Sequence, residues 1–167
     1  SPTSKEDVKN EFGKKIKFIL NGGQSKVGLE STIVSLINKP QILRLGGMEI
    51  SRINKVLKTN LKFNKKNKKI IVPGQRKVHY SPGIPIRLNV TKIKPNEAFM
   101  LIKKRKLSDK NFYYLSKNKN LKEAAKNLYK TLRMIKKKKF KSIGVEKIPN
   151  IGFGEAINDR LIRASKF

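Results

Sequence analysis

Arg44 is the residue of this sequence best suited to binding chemistry. It closes the apolar run Gln41-Ile-Leu-Arg44 and stands just before Gly46-Gly47. An arginine at the end of a rigid strand, partly withdrawn from water, can grip a phosphate or a carboxylate with its fork of donors. The same position serves a structural ion pair equally well. Glu30-Ser31-Thr32 opens the neighbouring apolar run, where the Ser31 hydroxyl is available to a ligand or to cap a loop. No histidine lies near Ser31 in sequence, which argues against a serine hydrolase. His79, the single histidine, reads as a surface or packing residue, whereas Tyr80 beside it can stack on a base or fold over a ligand as part of a lid. Gly152-Phe153-Gly154 precedes a helical stretch; an anion suits such a place, but a helix-entry turn suits it better. There is no Walker loop and no G-x-G-x-x-G. No two carboxylates stand at a useful spacing, and no catalytic residue is assigned. With no cysteine and one histidine, thiolate zinc sites, multi-histidine metal sites, disulfides and cysteine nucleophiles are excluded.

The charge points to a polyanion. In 167 residues there are 41 Lys+Arg against 11 Asp+Glu, a formal charge of +30. Yet 33 of these cations are Lys and only 8 are Arg. Recognition surfaces for nucleic acid favour Arg for forked contacts. Lys, Asn and Ile share A/T-rich codons, so compositional bias accounts for much of the excess. Lys65 to Lys69 reads as a solvated linker, and Lys136 to Lys139 as a helix end, where cations suit the dipole. No apolar run approaches the roughly 20 residues of a membrane helix. No signal peptide opens the chain, and the absence of cysteine fits a reducing compartment, so a cytoplasmic location is expected.

The elements that must carry these residues follow from pattern. Ser4 with Asp7 three residues on predicts a capped helix to about Phe12, stopped at Gly13. Lys17 to Leu20 reads as a short strand and Thr32 to Ile37 as a central strand, hairpin-paired with Gln41 to Arg44. Ile50, Ile53, Val56 and Leu57 repeat at helical spacing. From Thr59 to Gly83 lysine, asparagine, Pro-Gly and Ser-Pro-Gly surround one apolar patch, Ile70-Ile71-Val72, which predicts an interdomain linker. Beyond it, Ile84 to Val90, Ala98 to Ile102, Phe112 to Leu115 and Ser142 to Glu146 read as strands. Leu121, Ala124, Ala125, Leu128, Leu132 and Ile135 form one helical stripe, and Phe153, Ala156, Ile157, Leu161 and Ala164 a last helix. The order predicts a small α/β sandwich with some parallel pairing. The expected division is 1–58, a linker over 59–83, and 84–167.

Taken together, Ser1-Pro-Thr-Ser, Ile19-Leu-Asn-Gly-Gly-Gln, Val27-Gly-Leu-Glu-Ser-Thr-Ile-Val34, Ile42-Leu-Arg-Leu-Gly-Gly47, Pro73-Gly-Gln-Arg-Lys-Val-His-Tyr-Ser-Pro82 and Ala156-Ile-Asn-Asp-Arg-Leu-Ile-Arg-Ala164 resemble, in order, the C-terminal part of the long, two-domain threonylcarbamoyl-AMP synthases of the YrdC-like family. Leu45 departs from the proline often found there. The resemblance implies an α/β fold: part of a YrdC-like twisted mixed sheet (1–58), the long linker, and a small Rossmann-like C-terminal domain (84–167). It implies condensation of L-threonine, bicarbonate (or CO2) and ATP, with Mg2+, into threonylcarbamoyl-AMP and pyrophosphate. A downstream transferase complex then modifies tRNA. It carries Ser1, Arg44 and Tyr80 onto ATP contacts and Ser31 onto an L-threonine contact. The family's Lys-x-Arg and Ser-x-Asn motifs are expected before Ser1, so the chain is expected to be cut inside the catalytic domain, with little activity alone. The competing readings are a non-enzymatic basic module contacting double-stranded RNA or tRNA, whose affinity would fall steeply with salt, and a regulatory paralogue.

Overall fold

A computed structural model describes residues 1–63, 72–76, 79–107 and 109–166. The lysine run at 65–69 and the patch residues Ile70 and Ile71 lie outside them.

Helix α1 spans Lys5–Phe12, with the Ser4 hydroxyl accepting from the Asp7 amide at 3.2 Å, so the predicted cap forms. The expected strand over Lys17 to Leu20 is absent. Phe18 and Leu20 are 87% and 95% exposed, and no neighbouring strand takes up their backbone groups. Strands β1 (Ile33–Ser35) and β2 (Gln41–Arg44) form the predicted antiparallel hairpin, but as a two-stranded sheet with an irregular register at Ile33/Val34; β1 is shorter than expected and is not central among the described strands. Helix α2 (Ile50–Leu57) follows, burying Ile50 and Ile53 against Ile42, Leu45 and Ala156.

The second lobe is built on four strands: β3 (Ile86–Arg87), β4 (Glu97–Leu101), β5 (Phe112–Tyr114) and β6 (Ser142–Val145), in the order β3-β6-β4-β5. Every pairing is parallel, more than the partial parallelism read from pattern. All five residues of β4 are buried, as befits an inner parallel strand. Its Glu97 accepts from Arg87, from the Lys94 amide and from the Ser142 hydroxyl, so a buried carboxylate is fully partnered. The predicted first strand is trimmed to β3. Helix α3 (Leu121–Lys137) leads from β5 to β6, and α4 (Phe153–Ala164) follows β6. The two helices pack on each other, and Leu128, Leu132, Ile135, Ile157 and Leu161 join Met100, Leu115, Ile143 and Val145 in one core. Among the described residues each ion pair uses an arginine; none uses a lysine. No helix among them is long and apolar enough to cross a membrane.

Candidate functional site

The hairpin lobe and the sheet lobe meet along the loop before β1. Gly46 lets β2 press against that loop: a methyl group there would stand 2.3 Å from the Glu30 carbonyl oxygen. This close approach lets Arg44, at the end of β2, reach across the hairpin. Its Nε donates to the Ser31 carbonyl (3.0 Å), its Nη2 to the Ser31 hydroxyl (3.0 Å) and its Nη1 to the Pro73 carbonyl (3.1 Å). These partners are all neutral. Among the described residues Arg44 has no carboxylate partner, so the ion-pair alternative is not what the fold builds, and the charge stays available. The Ser31 hydroxyl, accepting from Arg44, keeps its own hydrogen for a further acceptor.

The segment 72–76 is tied to both lobes. Gln75 Nε2 donates to the Leu43 carbonyl (2.8 Å), while Arg163 Nη1 of α4 donates to the carbonyls of Gln75 (2.8 Å) and Arg76 (3.1 Å). This tether brings Tyr80 to Arg44. A methyl on Gly74 would stand 2.5 Å from the Tyr80 hydroxyl and 3.4 Å from Arg44 Cδ. Tyr80 holds φ at +66°, a left-handed conformation costly for a bulky residue and concentrated at functional segments. Its ring stacks on Tyr129 of α3 (centroids 5.7 Å apart) and meets His79 edge-on at 3.9 Å. Burial raises the Tyr80 phenol above its ordinary pKa and lowers that of His79, whose buried Nδ1 has no hydrogen-bond partner among the described residues.

Glu30 lies on the other side of Ser31. It accepts from the Ser1 hydroxyl, from Tyr129 Oη (3.0 and 3.2 Å), and from Arg160 Nε (3.1 Å) and Nη2 (3.0 Å). Burial pushes its carboxyl pKa up, but Arg160 and the hydrogen bonds outweigh this and hold it down at about 2. Ser1 is fixed further by Arg133 of α3, whose Nη1 donates to its carbonyl at 2.8 Å.

The four residues singled out from sequence thus gather in one region: Ser31 and Arg44 directly, Tyr80 across Gly74, and Ser1 across Glu30. Pattern analysis overlooked Glu30 as an anchor, Tyr129 and Arg160. Arg160 carried a signal. It shares one face of α4 with Ile157, Leu161 and Ala164, all buried, and a charge on an apolar face needs a partner. Gly152 enters α4 at φ +51°, and a methyl group there would stand 3.0 Å from the Glu49 carboxylate. No three His, Cys, Asp or Glu side chains come together as a metal site among the described residues, and Glu30 is already occupied, so these residues do not supply a ligand set for Mg2+.

Comparison with known proteins fits this arrangement. The family model for the threonylcarbamoyl-AMP synthase C-terminal domain matches residues 48–166, and one described as telomere recombination matches residues 1–46. Threonylcarbamoyl-AMP synthases of Bacillus subtilis and Pyrococcus abyssi are each 28% identical over 99% and 100% of this chain, but over 53% and 54% of their own lengths. The chain therefore spans about half the length of the curated relatives it matches. The crystal structure of P. abyssi Sua5 complexed with L-threonine superposes with a TM-score of 0.83 at 27% identity, covering 99% of this chain and 54% of that one. A double-alanine variant of P. abyssi Sua5 shares the fold, with a TM-score of 0.72 at 24% identity. With the C-terminal domain model covering most of its length, this chain belongs to the threonylcarbamoyl-AMP synthase family.

Proposed function

We propose that this chain supplies the Ser31–Arg44 contacts, the closing segment and the second lobe of an L-threonylcarbamoyladenylate synthase. In that reaction the amine of L-threonine joins the carbon of bicarbonate, with loss of water. An oxygen of the resulting carbamate then attacks the α-phosphorus of ATP, the bond to the β-phosphate oxygen breaks, and pyrophosphate leaves.

The observation that carries the reading is Arg44. Its guanidinium is oriented by three neutral acceptors and is neutralised by none, in contact with a serine that has a hydrogen to give. Phosphates, the threonine carboxylate and the carbamate are all anionic, and a preorganised cation beside a free hydroxyl stabilises such charge without reorganisation. In this assignment Arg44, Ser1 and Tyr80 contact ATP and Ser31 contacts L-threonine. Tyr80, on its tethered segment, screens the carbamate from water. No step is assigned to Mg2+. The division into 1–58, 59–83 and 84–167 is part of the proposal, supported by the larger apolar cluster, whose buried members all lie between Ile86 and Ala164, while the smaller one joins Ile42, Leu45, Ile50 and Ile53 to Ala156 across the division. So are delivery of the product to a transferase acting on tRNA and a cytoplasmic location.

The test is L-threonine-dependent release of pyrophosphate from ATP, measured on the complete gene product and on residues 1–167 alone. Release by the complete product that disappears without threonine is expected, with little or none from residues 1–167. A complete product that releases no pyrophosphate refutes the assignment.

A further inference from the structure

We infer that Arg160 is a positioning residue for the Ser31–Arg44 pair and for Tyr80, and that through it the second lobe sets the geometry of the reaction. This rests on the proposed function.

The side chain of Arg160 is 1% exposed, and each of its three nitrogens is engaged. Nε and Nη2 fork onto Glu30, the residue just before Ser31 (3.1 and 3.0 Å). Nη2 also donates to the carbonyl of Leu45, the residue just after Arg44 (2.6 Å). Nη1 is held by Asp159 (2.8 Å), which in turn pairs with Arg163, the residue that grips segment 72–76. The guanidinium carbon lies 5.1 Å from the centre of the Tyr80 ring, within reach of a cation–π contact. One planar group therefore fixes a chain neighbour of each member of the pair and the face of the aromatic that closes over them. Tyr129 backs the arrangement from α3, donating to Glu30 and stacking on Tyr80.

Stability alone does not explain such a group. Burying a carboxylate and a guanidinium costs about what their attraction returns, and well-packed apolar residues often replace such pairs without loss. What an apolar pair cannot do is hold three acceptors, on Glu30, Leu45 and Asp159, at fixed angles. The difference separates a strut from a positioning device.

The test uses the complete gene product and two variants. Arg160→Lys keeps the charge but cannot fork. The double variant Glu30→Leu with Arg160→Met removes the pair together and leaves no buried charge unpartnered. The expected result is a double variant that melts within a few degrees of the parent, while kcat/KM for threonine-dependent pyrophosphate release falls about 100-fold in both variants, as for a reacting centre displaced by ~1 Å. Activity within threefold of the parent in either folded variant overturns the inference. So does loss of folding in both, which would make Arg160 a strut. Should the parent release no pyrophosphate, the proposed function fails by itself, and amide exchange decides the inference. Faster exchange at 28–32 and 79–81 together in Arg160→Lys, with β4 unchanged, supports it. Unchanged exchange at either segment, or equal acceleration in β4, overturns it.

Discussion

Gly28 and Gly23 form a natural experiment on how tightly the two lobes must dock. Both hold left-handed backbone, at φ +77° and +79°. Around Gly23 an added methyl meets nothing within 4 Å; at Gly28 it would stand 2.6 Å from both the Cα and the carbonyl oxygen of Lys126 on α3. Gly23→Ala therefore isolates the backbone penalty, about 1 kcal/mol. Gly28→Ala carries the same penalty and must also lift the loop by ~1 Å to restore ordinary contact, since the obstacle is helix backbone. Two residues on, Glu30 sits 3.0–3.2 Å from Tyr129 and Arg160, so a displacement of that size takes it out of hydrogen-bond range. Weakening this partly buried pair adds about 2 kcal/mol, for a total of about 3 kcal/mol. For a chain of this length that lowers the melting temperature by about 6–12 °C, against about 2–4 °C for Gly23→Ala. Calorimetry on the two variants and the parent measures the difference. If they melt within about 2 °C of each other, the loop is not seated on α3 as described.

Acid should unfold the protein through two carboxylates. Glu30 and Glu97 are both held at about 2 against an ordinary 4.5, the first despite burial by Arg160, the second chiefly by hydrogen bonds from Arg87. Because the folded values lie below the unfolded ones, their contribution is complete above about pH 4.5 and is lost as pH falls from there to about 2. For Glu30 the gap corresponds to roughly 3 kcal/mol at most. The expected melting temperature is flat between pH 7 and 5 and then falls, with Glu30→Gln flattening part of the fall; an unchanged slope in that variant refutes the account. Arg44→Lys preserves charge but loses the fork onto Ser31, so the KM for ATP is expected to rise at least about tenfold with little change in melting; a KM within twofold of the parent refutes the role given to the fork.

Local signals in the sequence reported local structure well. Ser4 caps α1, the stripe from Leu121 to Ile135 is the buried face of α3, and Gln41 to Arg44 pairs with the strand before it. Arg44 was legible because a strand ending at Gly-Gly leaves few places for its side chain to go. What failed was whatever depended on distant partners. Lys17 to Leu20 has the composition of a strand, yet strand formation needs a neighbour, and composition does not say whether one is present. The parallel order β3-β6-β4-β5 is set by helix packing on the sheet. Glu30 and Arg160 are 130 residues apart, and their meeting follows from the docking of α4 against the hairpin. The apolar face of α4 shows that Arg160 needs a partner, but not that Glu30 is the one.

The division of labour between the two kinds of cation has a practical consequence. Each ion pair among the described residues is made by a guanidinium, which acylating reagents leave untouched, while the large positive excess sits on amines. Exhaustive acetylation would turn a strongly cationic polypeptide slightly anionic and leave these guanidinium–carboxylate pairs chemically intact. The attraction of so cationic a chain to a cation-exchange resin is thus separable from these pairs, erasable by chemistry that leaves their guanidinium groups alone.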